Sequence, residues 1–185
     1  MLKKSTLVSL AIACSTPAVA QQSAHVHGFA SINLAIDDEE LQIEFVSPAE
    51  SIVGFEYEPS TAAEHKAVAD AIALLRNPAK LFALPASAGC ELHEVEAERH
   101  AEDEHDEHSE HDEDEHAHED SDTGENHSEF HAHYHFDCKN AAIETIDLRL
   151  FETWPRIEEV RVQALTPRGQ FGGNIVTSDP VIRLK

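Results

Sequence analysis

Histidine is concentrated in one part of this chain, between Cys90 and Cys138. Eleven of the fourteen histidines lie there: His93, His100, His105, His108, His111, His116, His118, His127, His131, His133 and His135. From Glu91 to Glu129 the segment also holds nineteen acidic residues against one base, Arg99. Carboxylates alone would indicate a solvated acidic loop, but neutral imidazole is the commonest protein ligand for transition metals and titrates near neutral pH. The segment therefore predicts metal binding.

The most specific pattern is at the end of this segment, where every second residue is a histidine. His131, His133 and His135 alternate with apolar residues from Phe130 to Phe136, which predicts a strand with one apolar face. The three imidazoles then share the other face, about 6 to 7 Å apart. An ordered strand fixes this spacing before an ion arrives, so we expect the three histidines, called the ladder below, to be ligands.

A second pair, His25 and His27, stands on either side of Val26 in a run that alternates up to Ile36. The alternation predicts a strand, which would place both imidazoles on one face, close enough to share an ion. The pair could supply the same ion as the ladder if the two strands are neighbours. A cluster of three or four histidines suits tetrahedral Zn²⁺, and residue type does not exclude Cu²⁺ or Ni²⁺.

The longer stretch of about residues 91–128 is predicted to be a disordered loop in the absence of metal. Degenerate units that end in histidine recur there (EDEH, DEH, SEH, DEDEH), and such sequence buries too little apolar surface to offset its ordering entropy. Its histidines and carboxylates could bind several ions weakly, because each binding event must order flexible chain. The loop histidines expected to take part are His93, His100, His105, His108, His111, His116, His118 and His127. This suits capture and buffering better than catalysis.

The N-terminus has the pattern of a secretory signal over residues 1–20: two lysines, a short apolar run and Ala18-Val19-Ala20. Processing as a lipoprotein at Cys14 is the alternative. In a secreted product the two remaining cysteines, Cys90 and Cys138, most simply form a disulfide, and two free thiols are the other possibility. The net charge of −23 argues against a nucleic-acid partner. No later stretch is long and apolar enough to insert into a membrane.

Residues 21–185 are predicted to form a single β-rich α+β domain, interrupted by the acidic loop. Roughly seven alternating segments indicate an antiparallel sheet or small sandwich. One main helix is expected over Thr61 to Arg76, where Thr61 and Glu64 form a capping box and Asn77-Pro78 ends the periodicity.

Several features occur in a characteristic order along the chain. They are His25 to Gly28, a capped helix that leads to Leu81-Phe82 and Pro85, the His/Asp/Glu-rich insert, the aromatic His-rich strand that ends in Cys138, and LFETWPRIEEVRVQ from Leu150 to Gln163. In this combination the chain resembles the ZrgA-type periplasmic zinc-binding proteins of Gram-negative bacteria. The resemblance implies zinc binding in the periplasm as an accessory to high-affinity uptake, beside an ABC importer and its binding protein. It carries over to His25, His27 and the ladder.

Two other functions compete with a non-catalytic zinc-binding role. A secreted zinc enzyme is suggested by His133-Tyr134-His135, because His-x-His on a strand with a distant third histidine resembles the carbonic anhydrase metal site. No motif places a catalytic base, however, and HExxH, GxSxG and a Gly-rich phosphate loop are absent from the sequence. Sequestration of copper or nickel is the other alternative.

Overall fold

The computed structural model of the chain describes residues 27–101, 127–140 and 142–184. Within these ranges there are nine strands: β1 Phe29–Asp37, β2 Glu40–Pro48, β3 Phe82–Ala83, β4 Glu91–Ala101, β5 Ser128–Asp137, β6 Thr145–Leu148, β7 Glu159–Thr166, β8 Gly169–Val176 and β9 Val181–Arg183. The helices of the same residues are α1 Ala49–Val53, α2 Ala62–Leu75 and α3 Leu150–Thr153, with 3₁₀ turns at Pro78–Lys80 and Ala86–Ala88.

The strands of the described ranges form a large sheet in the order β4-β5-β2-β1-β7-β8 and a small sheet in the order β3-β6-β9. Neighbouring strands are antiparallel with one exception, the parallel pair of β1 and β7. The β-rich α+β class with one main helix is therefore confirmed. The parallel pair was not predicted, since alternation along one strand carries no information about the direction of its neighbour.

The first two strands form a hairpin, and the predicted helix is present. In β1 and β2 the apolar positions are buried and the intervening ones are more exposed, and Ile36 pairs with Leu41 across the tight turn. Helix α2 begins after Thr61, whose side chain accepts from the Glu64 N–H while the Glu64 carboxylate accepts from the Thr61 N–H. These reciprocal bonds satisfy donors that a helix N-terminus otherwise leaves unpaired.

The inward face of β5 is tied to α2 through one buried tyrosine. The hydroxyl of Tyr134 donates to the backbone oxygen of Leu75 at the end of α2, at 2.8 Å. Burial raises the pKa of this phenol, and Phe82 contacts its ring edge-on. Because alternate residues of a strand point to opposite faces, fixing Tyr134 inward fixes the ladder outward.

Strand β4 corrects the predicted extent of the loop. Residues 91–101 and Ser128, which fell within the loop predicted at about 91–128, belong to β4 and β5, and Ala101 pairs with Ser128. Residues 102–126 lie outside the described residues. The alternation of Val95, Ala97 and Arg99 with three glutamates was the available signal, but the charge of this edge strand hides it.

The Cys90–Cys138 disulfide is confirmed. The register places it beside the Glu91–Asp137 pair, at the opposite end of the β4–β5 hairpin from Ala101 and Ser128. The bond therefore closes the base of the hairpin, about 30 Å from Ala101 and Ser128 by strand rise.

Smaller differences lie elsewhere in the chain. Leu150 begins α3, and neither α3 nor β8 was predicted from the sequence. The short apolar segment after Pro48 contains α1 and then an irregular loop that carries Glu56. None of the helices in the described part of the chain has the length and apolarity of a membrane span.

Candidate metal centre

The ladder lies on the outward face of β5, as predicted. Phe130, Tyr134 and Phe136 are buried on the other face. The side chain of His133 is 55% exposed, and those of His131 and His135 are 27% and 31% exposed. All three imidazoles are therefore accessible, and the outer two are partly shielded by their neighbours.

Carboxylates flank the ladder on both sides because of the strand order. On β4, Glu98, Glu96 and Glu94 pair in turn with His131, His133 and His135. On β2, Glu44 pairs with His133, and its Oε1 lies 3.9 Å from the His133 Nε2. Within the described residues the outward positions of β4, β5 and β2 carry no Lys or Arg. Each imidazole thus stands in a strongly negative surrounding, which attracts cations.

A bulge in β4 brings a second imidazole to the lower end of the ladder. The register with β5 shifts between Leu92 and Glu94, which leaves His93 as the extra residue. The ring centroids of His93 and His135 are 5.6 Å apart, and the Nδ1 of His93 lies 3.2 Å from the Asp137 Oδ2. The Nε2 of His135 is 3.4 Å from the Glu40 Oε2.

The Nε2 of His135 is shielded from water and makes no hydrogen bond within the described residues. A buried nitrogen in that condition carries a desolvation cost that a bound ion would remove. Two imidazoles and two carboxylates, those of His93, His135, Asp137 and Glu40, are thus neighbours in pairs at this end of the ladder.

The upper end of the ladder has a similar arrangement. The rings of His100 and His131 are 4.7 Å apart at their centroids. The His100 Nε2 lies 2.9 Å from the Glu98 Oε1, and the His131 Nε2 lies 3.1 Å from the Glu129 Oε2. In a neutral imidazole of either pair the Nε2–H donates to the carboxylate, which leaves the Nδ1 lone pair as the donor for a metal ion.

His27 does not lie beside the ladder, so the condition for a shared ion is not met for this residue. His27 lies in a turn before β1, not on a strand, so the expected shared strand face is wrong for this residue. In addition, β2 separates β1 from β5. His27 instead approaches Glu56, and so does His127: the distances are 3.5 Å from the His27 Nε2 to Oε1 and 2.7 Å from the His127 Nδ1 to Oε2. Sequence reasoning missed Glu56, which follows no periodic pattern.

Six of the histidines expected to bind metal fall outside the residues that the structure describes: His25, His105, His108, His111, His116 and His118. Within residues 27–101, 127–140 and 142–184, no three His, Cys, Asp or Glu side chains already have the arrangement of a metal site. The imidazole–carboxylate contacts of 2.7 to 3.2 Å have the spacing of hydrogen bonds, whereas those of His133 with Glu44 and of His135 with Glu40 are longer. Metal binding would require small shifts of side chains.

The ladder borders an open groove of ≈ 770 Å³ on the same face of the sheet. Glu94, Glu96 and Glu44 line one part of it together with His133 and His135. Gln163, Leu165, Gln170 and Phe171 line the part over β7 and β8. The groove is therefore acidic and rich in imidazole on one side and uncharged on the other.

The family comparison agrees with this donor set. The model of the ZrgA family zinc uptake proteins matches residues 24–184. The chain belongs to the ZrgA family. The match spans both sheets and the whole of the ladder, so the suspected resemblance is confirmed over nearly the full chain. No curated protein matched. Membership gives zinc uptake as the general role, and zinc is accordingly the cargo considered for the ladder.

Proposed function

We propose that this ZrgA-family protein captures and buffers Zn²⁺ for a high-affinity uptake system, without catalysing a reaction. The observation that carries the proposal is the ladder itself, three outward imidazoles flanked by carboxylates from β4 and β2. Imidazole is the ligand that favours Zn²⁺ over the oxygen-preferring Ca²⁺ and Mg²⁺. The flanking carboxylates supply the negative field and additional ligands.

The exposure of the ladder to solvent supports the capture and release of zinc rather than catalysis. A catalytic zinc needs ligands held rigidly around one open coordination position. Here the imidazoles stand in pairs at the two ends of an exposed face, where ions can exchange with solvent or with another protein. A component of a zinc ABC importer, or its periplasmic binding protein, is the partner that we propose for delivery.

We also propose that the protein acts in the periplasm. A disulfide between Cys90 and Cys138 requires an oxidising compartment. The N-terminal signal sequence would direct the chain there, with residues 1–20 removed.

Isothermal titration calorimetry with Zn²⁺ should give a stoichiometry above one for the purified protein. Replacing residues 102–126 by a short Asn-Gly turn should lower that stoichiometry and leave the tightest binding unchanged, because the insert contributes only weak sites. The replacement is compatible with the β4–β5 pairing since Ala101 and Ser128 are already register partners, and Asn-Gly together with His127 gives a three-residue hairpin loop between them.

A matched control replaces the same residues with an acidic linker of equal length that contains no histidine. It should behave like the short turn if imidazole is responsible for the additional sites. An unchanged stoichiometry after either replacement would contradict a zinc-collecting role for the insert.

The affinity for zinc should fall as the pH drops through about 6.5, because protons compete with the metal for free imidazole. The dissociation constant should rise by up to about tenfold per pH unit for each ligating imidazole, and a site with two of them should weaken about 100-fold between pH 6 and pH 5. Competition with a calibrated chelator at pH 7.5, 6.0 and 5.0 measures this. Affinity that holds until about pH 4 would instead indicate carboxylate ligands.

A further inference from the structure

We propose that His27, Glu56 and His127 form a second zinc site, separate from the ladder and located where the insert joins β5. The three residues come from distant parts of the sequence, and nothing in the sequence pattern links Glu56 to metal. In the structure both imidazoles nevertheless point a ring nitrogen at the same carboxylate, one at each oxygen.

The Glu56 carboxylate has one buried oxygen that makes no hydrogen bond in the described part of the chain, and a bound cation would remove the resulting desolvation cost. Its side chain is only 13% exposed, and its Oε1 is shielded from water without a hydrogen bond among the described residues. Within those residues no Lys or Arg pairs with it, since the neighbouring Arg99 uses its side chain on Glu58. A carboxylate oxygen that is buried without a hydrogen bond carries a desolvation cost, and the contacts of the other oxygen offset that cost only in part.

The backbone at Glu56 is held in place by the two strands that flank the insert. The Glu56 carbonyl oxygen accepts from the Arg99 Nη2 at 3.0 Å and from the Ser128 Oγ at 2.7 Å. Ser128 is fully buried, and the Arg99 side chain is 9% exposed. The loop that carries the carboxylate is therefore fixed before an ion arrives, which lowers the entropic cost of binding.

The turn that carries His27 is fixed as well. The N–H of Gly28 donates to the Ser51 Oγ at 3.0 Å, and its carbonyl oxygen accepts from the N–H groups of Glu158 and Glu159 at 2.8 and 3.1 Å. Gly28 has a φ of +82°, a conformation that glycine adopts without strain. His27 itself remains 61% exposed, so its ring can adjust to a ligand.

Two contacts between donor atoms can be compared with the separation that tetrahedral zinc requires. Zn–N and Zn–O bonds of about 2.0 to 2.1 Å place neighbouring donors about 3.3 Å apart. The His27 Nε2 and the Glu56 Oε1 are 3.5 Å apart, whereas the His127 Nδ1 and the Glu56 Oε2 are at a hydrogen-bond distance of 2.7 Å. Zinc would displace the His127 proton and widen that contact by about half an ångström.

Two imidazoles and one carboxylate leave a fourth position for water or for a ligand that exchanges with the ion. His127 directly follows residues 102–126, so the site would bind a cation beside the histidine-rich insert. An ion at this position would link the start of β5 to the turn before β1. The proposal rests on the proposed function only for the choice of zinc as the ion.

Anomalous diffraction at the zinc edge, from crystals of the purified protein grown with Zn²⁺, separates the two sites. We expect a peak bonded to His27, Glu56 and His127 in addition to peaks at the ladder. A peak at the ladder alone would overturn the second site and leave the proposed function intact. A peak at the second site alone would overturn the ladder, and bound zinc at neither position would overturn both.

Substitution in solution gives an independent test. Glu56→Gln should raise the dissociation constant for the tightest zinc by at least about tenfold in chelator competition. The matched control is Glu58→Gln, which removes the same charge from an exposed carboxylate on the same loop and should change the constant by less than about threefold. Equal effects of the two variants would overturn the proposal.

The exposed His27→Gln keeps the test decisive if Glu56→Gln fails to fold. It should weaken the same zinc by at least about tenfold without changing the thermal unfolding of the metal-free protein. A zinc affinity unchanged by His27→Gln would count against the site as strongly as equal effects of Glu56→Gln and Glu58→Gln.

Discussion

Replacing His131, His133 and His135 together by threonine should weaken zinc binding to the sheet by at least about 100-fold. Loss of a supporting residue alone typically costs a metal site 10- to 100-fold, and here the ligands themselves are removed. Threonine suits a solvent-facing strand, and the buried face of β5 is unaltered, so the metal-free stability should change by less than about 0.5 kcal/mol. Chelator competition and thermal unfolding in EDTA measure the two quantities.

The experiment is clearest in the protein whose residues 102–126 are replaced by a short turn and which also carries His27→Gln, because zinc on the insert and zinc beside Glu56 are then both removed from the measurement. The control is His65→Gln on α2, an exposed histidine for which no ligand role is predicted. This variant should bind zinc like its parent. Wild-type affinity in the ladder variant would show that the ladder is not the binding surface.

Removing the disulfide by Cys90→Ser and Cys138→Ser should lower the free energy of unfolding by about 4 kcal/mol. The two cysteines are 48 residues apart, and loop-closure entropy for a loop of this length predicts that loss. In the folded protein the disulfide lies at the base of the β4–β5 hairpin, next to Glu91 and Asp137. Urea unfolding of the metal-free variant measures it.

Chemical reduction of the wild-type protein provides the control, since it opens the bond without changing a side chain. Reduced wild type and the double variant should unfold at similar urea concentrations, well below the oxidised protein. A difference from the oxidised protein of less than about 1 kcal/mol would mean that the β4–β5 pairing holds the hairpin closed by itself.

Structural features that depend on a strong local sequence pattern were predicted correctly from the sequence. The alternation of β5 specifies which side chains face out, because its inward aromatic residues must be buried. The cap of α2 follows from Thr61 and Glu64, three residues apart. The disulfide follows from the two cysteines that lie outside the predicted signal sequence. Each of these depends on few residues or on one short segment.

Prediction failed where several distant segments decide the outcome. Strand β4 carries only one fully buried side chain, Ala97, and its glutamates gave the pattern of a solvated loop. It is a strand because β5 offers it a free edge for backbone hydrogen bonds. The prediction that His27 lies on a strand was wrong for a related reason, since the chain forms a turn at Gly28 before β1 begins.

The sequence by itself determined the chemistry of this protein: which donors are present, that the ladder imidazoles share one face, and that the chain is similar to zinc-binding relatives. Only the tertiary structure decided what stands beside those donors. Strand order placed β4 and β2, with their glutamates, next to the ladder, and loop packing placed Glu56 between His27 and His127. The physical reason is that side-chain alternation is a local property of one strand, whereas strand neighbours and register follow from how all the buried faces pack together.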